Sequence, residues 1–217
     1  MKKIPLTLCL AAALFSTSAF AAKGSWKTLA KSPYVVKTRA IPKTPFHEVW
    51  VEGRLAAPAQ DVQAALQDLE RYPAFMPYTK VSKLLGAPKA DGSRLLYSRL
   101  DPPVISARDY VVDVEVEKRI APDGSGEFRQ SWSEVQGQVP AVAGVVRLRK
   151  NSGFWNVRPL PDGSSVATYS FTSDPGVKLP GFVVHKANRK AMTDLMKAVE
   201  KEALRLKASR SSPVARR

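Results

Sequence analysis

Residues 105–119, ISARDYVVDVEVEKR, alternate as a half-buried strand does. Tyr110, Val112, Val114 and Val116 share one face. Asp109, Asp113, Glu115 and Glu117 share the other, with Val111 as the exception. Two residues before Tyr110, on the apolar face, stands Arg108. A guanidinium taken out of water without a partner is costly, so an inward Arg108 must meet an acid, backbone carbonyls or the polar group of a ligand. Two readings stay open. Arg108 is a polar anchor at the inner end of an apolar cavity, or one half of a structural ion pair with Glu134 or Asp101.

Four aromatic residues, Tyr110, Trp132, Tyr169 and Phe171, fall on the apolar faces of strand-like segments. As a set they suit a cavity lining, and singly they suit a packed core. Gln130 and Glu134 alternate in phase with Phe128 and Trp132, which points to a wet or liganded interior. Met192 and Met196 belong to a long amphipathic segment, where thioethers give adaptable apolar contact. Together with Arg108, Tyr110, Trp132, Glu134, Tyr169, Phe171, Met192 and Met196 form the candidate ligand-binding set. His47 and His185 are the only histidines. They lie far apart in sequence and no cysteine accompanies them, a poor match to a zinc site, so neither a metal nor another cofactor is expected. No Ser-His-Asp order and no glycine-rich phosphate loop occurs. Asp101 or Glu134 could act as a general base in a cavity, which keeps an enzymatic alternative open.

These side chains need elements to position them. The first 21 residues are set apart as a secretory signal peptide: Lys2 and Lys3, an apolar run, then Ala19-Phe20-Ala21 as an A-x-A cleavage pattern. The lone cysteine, Cys9, falls inside it, so the mature chain would hold no disulfide. Two lysines in so short a leader indicate a bacterial protein sent to the periplasm. The formal charge of +15 falls to +13 without Lys2 and Lys3. Such a surface favours anionic lipid headgroups, and export argues against nucleic acid. Residues 22–45, with Pro33, Pro42 and Pro45, read as a lead-in with little regular structure, and 208–217 as a basic, solvated tail.

Between them the pattern is a strand in EVWVEGRL, a short helix after Pro58 at its first position, and a run of strands punctuated by turns. The strands are TKVSKLLGA, RLLYSRL, the 105–119 segment, EFRQSWSEV, a hairpin of GVVRLRK and FWNVRPL about Asn151-Ser152-Gly153, and SVATYSFTS. A helix over about 182–207 closes the chain, with Val184, Ala187, Ala191, Leu195, Val199, Ala203 and Leu206 as its apolar stripe. That stripe must be buried on the sheet, which is the only large partner available. An antiparallel sheet curved around one long helix encloses a space of the kind that holds apolar small molecules.

Three of these stretches, in this order, resemble the START (steroidogenic acute regulatory protein-related lipid-transfer) domains of the helix-grip superfamily. ARDYVVDVEVEKR resembles the family's Arg-Asp-aromatic-Val strand. GVVRLRKNSGFWNVRPLPDGSS is similar to its paired strands. VATYSFTSDPGVKLPGFVVHKA is similar to its last strand, its Asp-Pro-Gly linker and the Leu-Pro that opens its final helix. The resemblance covers about residues 46–207. It implies an α+β helix-grip fold with an internal tunnel for one lipid, covered by the C-terminal helix. It departs in one respect: sterol-binding members place an acid opposite the arginine on the preceding strand, and here the nearest candidate is Asp101. The expectation is a monomeric periplasmic carrier of a lipid or other apolar molecule, not an enzyme, that touches anionic membranes transiently. The stretch TSDPGVKLPG would be its gate. A cavity enzyme of polyketide cyclase or aromatase type is the alternative, and a structural or partner-binding module with a filled core is a third class.

Overall fold

The computed structural model describes residues 24–44, 46–103, 105–174 and 181–211. The expected signal peptide, most of the expected gate and residues 212–217 lie outside the described residues. Ten strands form one sheet: β1 (Lys27–Ala30), β2 (Val35–Ala40), β3 (His47–Leu55), β4 (Thr79–Leu84), β5 (Arg94–Leu100), β6 (Arg108–Lys118), β7 (Phe128–Glu134), β8 (Val146–Arg147), β9 (Asn151–Pro159) and β10 (Ser165–Ser173). Helix α1 (Ala59–Gln67), a 3-10 turn (Leu69–Arg71) and α2 (Tyr72–Phe75) lie between β3 and β4, and α3 (Gly181–Ser211) ends the described chain.

The strand order is β1-β2-β3-β10-β9-β7-β6-β5-β4, with every neighbour antiparallel and β8 added parallel to β6. The chain crosses from β3 to the far edge at β4, then returns strand by strand until β10 pairs with β3. Inward residues alternate along each strand, as burial of Val49, Val51, Val157 and Ala167 shows.

Three expectations need correction. Residues 22–45 are not irregular: β1 and β2 extend the sheet, and Val36 and Thr38 are buried. Pro33 and Pro42 punctuate these strands without entering them, so they interrupt no ladder hydrogen bond. The expected hairpin about Asn151 is absent. Asn151-Ser152-Gly153 lie inside β9, and of GVVRLRK only Val146 and Arg147 form a strand. Pro58 is the extended residue capping α1, one position earlier than expected.

Helix α3 packs on α1, α2, β1 and β3. Its buried face runs through Met192, Met196, Val199 and Ala203. The expected stripe meets this face at Val199 and Ala203 but drifts off it towards the N-terminus, where Ala187 is exposed. The C-terminal half is pinned by charge. The Ala56 amide donates to Glu200 Oε1 at 2.5 Å, Arg210 pairs with the buried Asp61 at 2.6 Å, and Glu202 accepts from Arg71 at 2.8 Å and Arg205 at 2.7 Å. Residues 208–211 therefore continue the helix and do not join a loose tail.

Hydrogen bonding from Arg205, and then from Arg71, outweighs the burial of Glu202 and holds its carboxyl down at about 2, against an ordinary 4.5. Because the folded value is the lower one, this contribution is complete above about pH 4.5 and is lost as the pH falls towards 2. Glu202→Gln is expected to cost about 1.5–3 kcal/mol at pH 7, towards the low end because both arginines are half-exposed. Urea titrations at pH 7 and pH 3 check this, and the gap between variant and parent should narrow at the lower pH.

Candidate functional site

Strands β6, β7, β9 and β10 turn their even or odd positions to the concave face in register, and the aromatic side chains meet there. Tyr169 lies across from Trp155 in the β9–β10 ladder, and their ring centroids are 4.5 Å apart. Trp132 stacks on Tyr169 at 5.5 Å, and Phe171 follows at 5.5 Å. The indole of Trp132 has room because its partner in β9 is Gly153, which has no Cβ to meet it. The Trp132 Nε1–H donates to Asn151 Oδ1 at 3.1 Å.

These rings form one wall of a cavity of about 240 Å³ between the sheet and α3. Leu96, Val112 and Val114 form another wall, Leu69, Tyr72 and Met76 contribute from the helical segment, and Ala191, Met192 and Leu195 close it from α3. Every described lining residue is uncharged. The polar atoms come from Tyr72, Tyr78, Thr79, Tyr110, Gln130, Asn151, Tyr169 and Ser173. Burial pushes the phenols of Tyr72, Tyr110 and Tyr169 above their usual value. They stay protonated at neutral pH and serve as hydrogen-bonding groups, not as bases.

Of the residues singled out from sequence, Tyr110, Trp132, Tyr169, Phe171 and Met192 line this cavity together. Met196 does not: it is fully buried in the core beneath. Glu134 stands at the end of β7, where its carboxylate takes two hydrogen bonds from Lys150 Nζ, at 2.8 and 3.1 Å. A carboxylate with a lysine at hand is satisfied at the rim and has no cause to turn inward.

Arg108 is 5 % exposed and shares the concave face with Tyr110, yet lies beyond the lining. Its Nε and Nη2 donate to the Ser106 carbonyl at 3.3 and 3.2 Å. Burial pushes the guanidinium down from its usual value, and the charge of Asp174, at the end of β10, acts in the opposite sense. The acid acting on Arg108 is therefore Asp174. Asp101 is exposed, and Glu134 is engaged with Lys150.

The other member of the Arg-Asp pair departs from the expected polar face. Asp109 is not on a solvated face: it is 1 % exposed and accepts from Arg147 Nε at 2.6 Å, Arg147 Nη2 at 3.0 Å and the Tyr97 hydroxyl at 3.1 Å. The signal was Val111, the residue that breaks the polar alternation, because an apolar residue two positions along announces that this part of the outer face is covered. Gln130, noted for its phase, is 2 % exposed and reaches the cavity. The two histidines, remote in sequence, come close enough for His47 to act on His185, whose pKa is lowered first by burial and then by Lys27 and His47. Among the described residues no three His, Cys, Asp or Glu come together as metal ligands would.

Comparison with known proteins agrees with this architecture. Residues 55–200 match the family described as polyketide cyclase / dehydrase and lipid transport. An uncharacterized protein of Pseudomonas aeruginosa is 25% identical over 188 residues, covering 85% of this chain and 90% of its own. A STAR-related lipid transfer protein fragment from Xanthomonas axonopodis superposes with a TM-score of 0.68 at 24% identity, covering 82% of this chain and 98% of the fragment. Human StAR-related lipid transfer protein 5 gives 0.72 at 19% identity, covering 83% of this chain and 87% of its own. At these identities the structures speak for the fold, and the family match extends over more than half of the sequence. The chain belongs to the polyketide cyclase/dehydrase and lipid-transport family and has the START helix-grip fold.

Proposed function

We propose that this protein binds a lipid or similar apolar molecule in the cavity beneath α3 and carries it through the bacterial periplasm, without chemical change to the cargo. The observation that carries this reading is the lining itself, apolar and aromatic with no charged side chain among the described residues. Moving hydrocarbon from water into such a space gains about 0.8 kcal/mol per buried CH₂. A cyclase or aromatase would need a base of suitable pKa within reach of its substrate. Among the described residues the only ionisable groups in this lining are tyrosines, and burial raises the pKa of three of them. The names of the structural relatives, which describe lipid transfer, support the same reading.

Loading from a bilayer requires docking on it. The exposed side of α3 presents Lys186, Arg189, Lys190, Lys197 and Lys201, with Lys190 paired to Asp194 at 2.5 Å. A signal peptide over residues 1–21 and a mature charge of +13 fit a monomer that touches anionic headgroups and leaves again.

Native mass spectrometry of protein purified from its own host's periplasm is the test. The expected result is a mature chain beginning at Ala22 or Lys23 with one bound apolar molecule released unaltered on activation. A chain that still begins at Met1 would reject the cleaved signal peptide, and a chain that is empty in every preparation would reject carriage. On vesicles, binding to anionic lipid is expected to exceed binding to neutral lipid at least tenfold at low salt. It should decline as salt shortens the screening length to about 10 Å at 0.1 M. Equal binding to both would remove the electrostatic docking step.

A further inference from the structure

Gln130 hangs from the concave face of β7 into the cavity, 2 % exposed. A primary amide has two donors on nitrogen and an acceptor oxygen. The Gln130 Oε1 is buried and, among the described residues, has no hydrogen-bond partner. A polar atom left unpaired in an apolar wall is unfavourable, and a native fold tolerates it where something else completes the bond.

The neighbouring side chains do not complete it. The Tyr72 hydroxyl has one proton, and it is donated to the Leu66 carbonyl at 2.6 Å. Tyr72 is therefore left to Gln130 as an acceptor only; burial raises the Tyr72 pKa and the Gln130 amide beside it acts in the opposite sense. Turning the amide over would set Oε1 against a phenolic oxygen with no proton left, so the oxygen stays on the side away from Tyr72. The Trp132 Nε1–H is committed to Asn151, and the Tyr110 hydroxyl makes no hydrogen bond to Oε1. The unmet acceptor therefore belongs to the cavity wall, beside the space the ligand would fill.

We infer that Gln130 Oε1 reads a hydrogen-bond donor on the ligand, so that the cavity takes a neutral, largely apolar molecule carrying a hydroxyl or N–H. The same skeleton ending in a carboxylate is refused, because the described lining offers it no cation and Gln130 turns a lone pair towards it. An ether or ester of that skeleton leaves Oε1 unmet and loses affinity. The volume sets a scale. An engineered cavity of about 150 Å³ holds benzene, so about 240 Å³ suits a core of roughly ten to twelve non-hydrogen atoms. This inference rests on the carrier reading and deepens it by assigning the ligand's chemical class.

The test is calorimetric titration of the mature protein at pH 7 with 2-naphthol, 2-methoxynaphthalene and 2-naphthoate. The ether is the more apolar compound, so burial alone would favour it. The expected result is that the naphthol binds at least tenfold tighter than either of the others. In Gln130→Leu and in Gln130→Met the naphthol should lose that advantage while the ether binds as well as before or better. Two variants guard against one that fails to fold, and retention of ether binding shows that the cavity survives. Equal affinity for naphthol and ether in the parent protein overturns the role of Gln130, as does a preference that persists in both variants. If none of the three compounds binds, the cavity-binding reading falls, and this inference falls with it.

Discussion

Gly153→Ala is expected to destabilise the protein by about 3 kcal/mol, at the upper end of what overpacking usually costs, and Gly153→Val by more. A Cβ at position 153 would collide with the Ser170 carbonyl oxygen, lie 2.6 Å from Trp132 Cζ2 and 2.9 Å from the Phe171 Cα. Two of those three atoms belong to the backbone of the paired strand β10, which cannot swing aside as a side-chain tip can. The β9–β10 ladder must bend or the indole must leave its place against Tyr169. Thermal unfolding measures the first consequence, and near-ultraviolet circular dichroism from the stacked Trp132 and Tyr169 measures the second. Trimming the indole in Gly153→Ala/Trp132→Leu should recover only part of the loss, because the carbonyl contact remains. Full recovery would mean that the indole alone requires the glycine.

The order of strands and helices was readable because each carries its own periodicity and because turn residues separate them. Asp91-Gly92, Asp123-Gly124 and Asp162-Gly163 all fall between strands, and the three glycines adopt positive φ. Punctuation by proline is not evidence of irregular structure. Pro33 and Pro42 made residues 22–45 look irregular, while the strand-like alternation of Val36 and Thr38 between them was passed over. The break at Asn151-Ser152-Gly153 looked like a turn for the same reason. Gly153 is there because three packed atoms leave no room for a side chain, a tertiary cause that composition does not carry.

The candidate site was legible where facing alone decides. Tyr110, Trp132, Tyr169 and Phe171 reach one cavity because alternation fixes their face and the sheet brings those faces together. Depth along an element is a different quantity, and sequence spacing does not give it. Glu134 has the right phase but stands at the strand's end beside Lys150, and Met196 is one helical turn deeper than Met192. Arg108 likewise shares the face of Tyr110 but lies past the end of the lining, and its neighbouring acid, Asp174, follows the end of β10, more than sixty residues later in the chain.

The Asp109–Arg147 pair carries the other large expected effect, and the two partners should not be equivalent. Asp109 is 1 % exposed, whereas the Arg147 side chain keeps 22% of its surface in water. Arg147→Ala strands a carboxylate in the interior with, among the described residues, only the Tyr97 hydroxyl as a donor, and is expected to cost about 3–5 kcal/mol. It also releases the carbonyls of Val139 and Pro140, which Arg147 holds at 3.2 and 3.0 Å, so the strap formed by residues 139–147 should loosen over the start of β6. Asp109→Ala strands an arginine that can still reach solvent and those carbonyls, and is expected to cost less, about 2–3 kcal/mol. In the double variant no charge is left unpaired, so its loss should fall well short of the sum of the two single losses. Denaturant unfolding of the four proteins at pH 7 gives the coupling. A coupling near zero would mean that the pair is a surface contact without energetic weight, and equal losses from the two single variants would mean that the difference in exposure does not govern their cost. Because Asp109 immediately precedes Tyr110, the same pair fixes the register at which β6 delivers its first aromatic side chain to the cavity. Arg147→Ala should therefore weaken ligand binding as well as folding, whereas the distant Glu202→Gln should weaken folding alone.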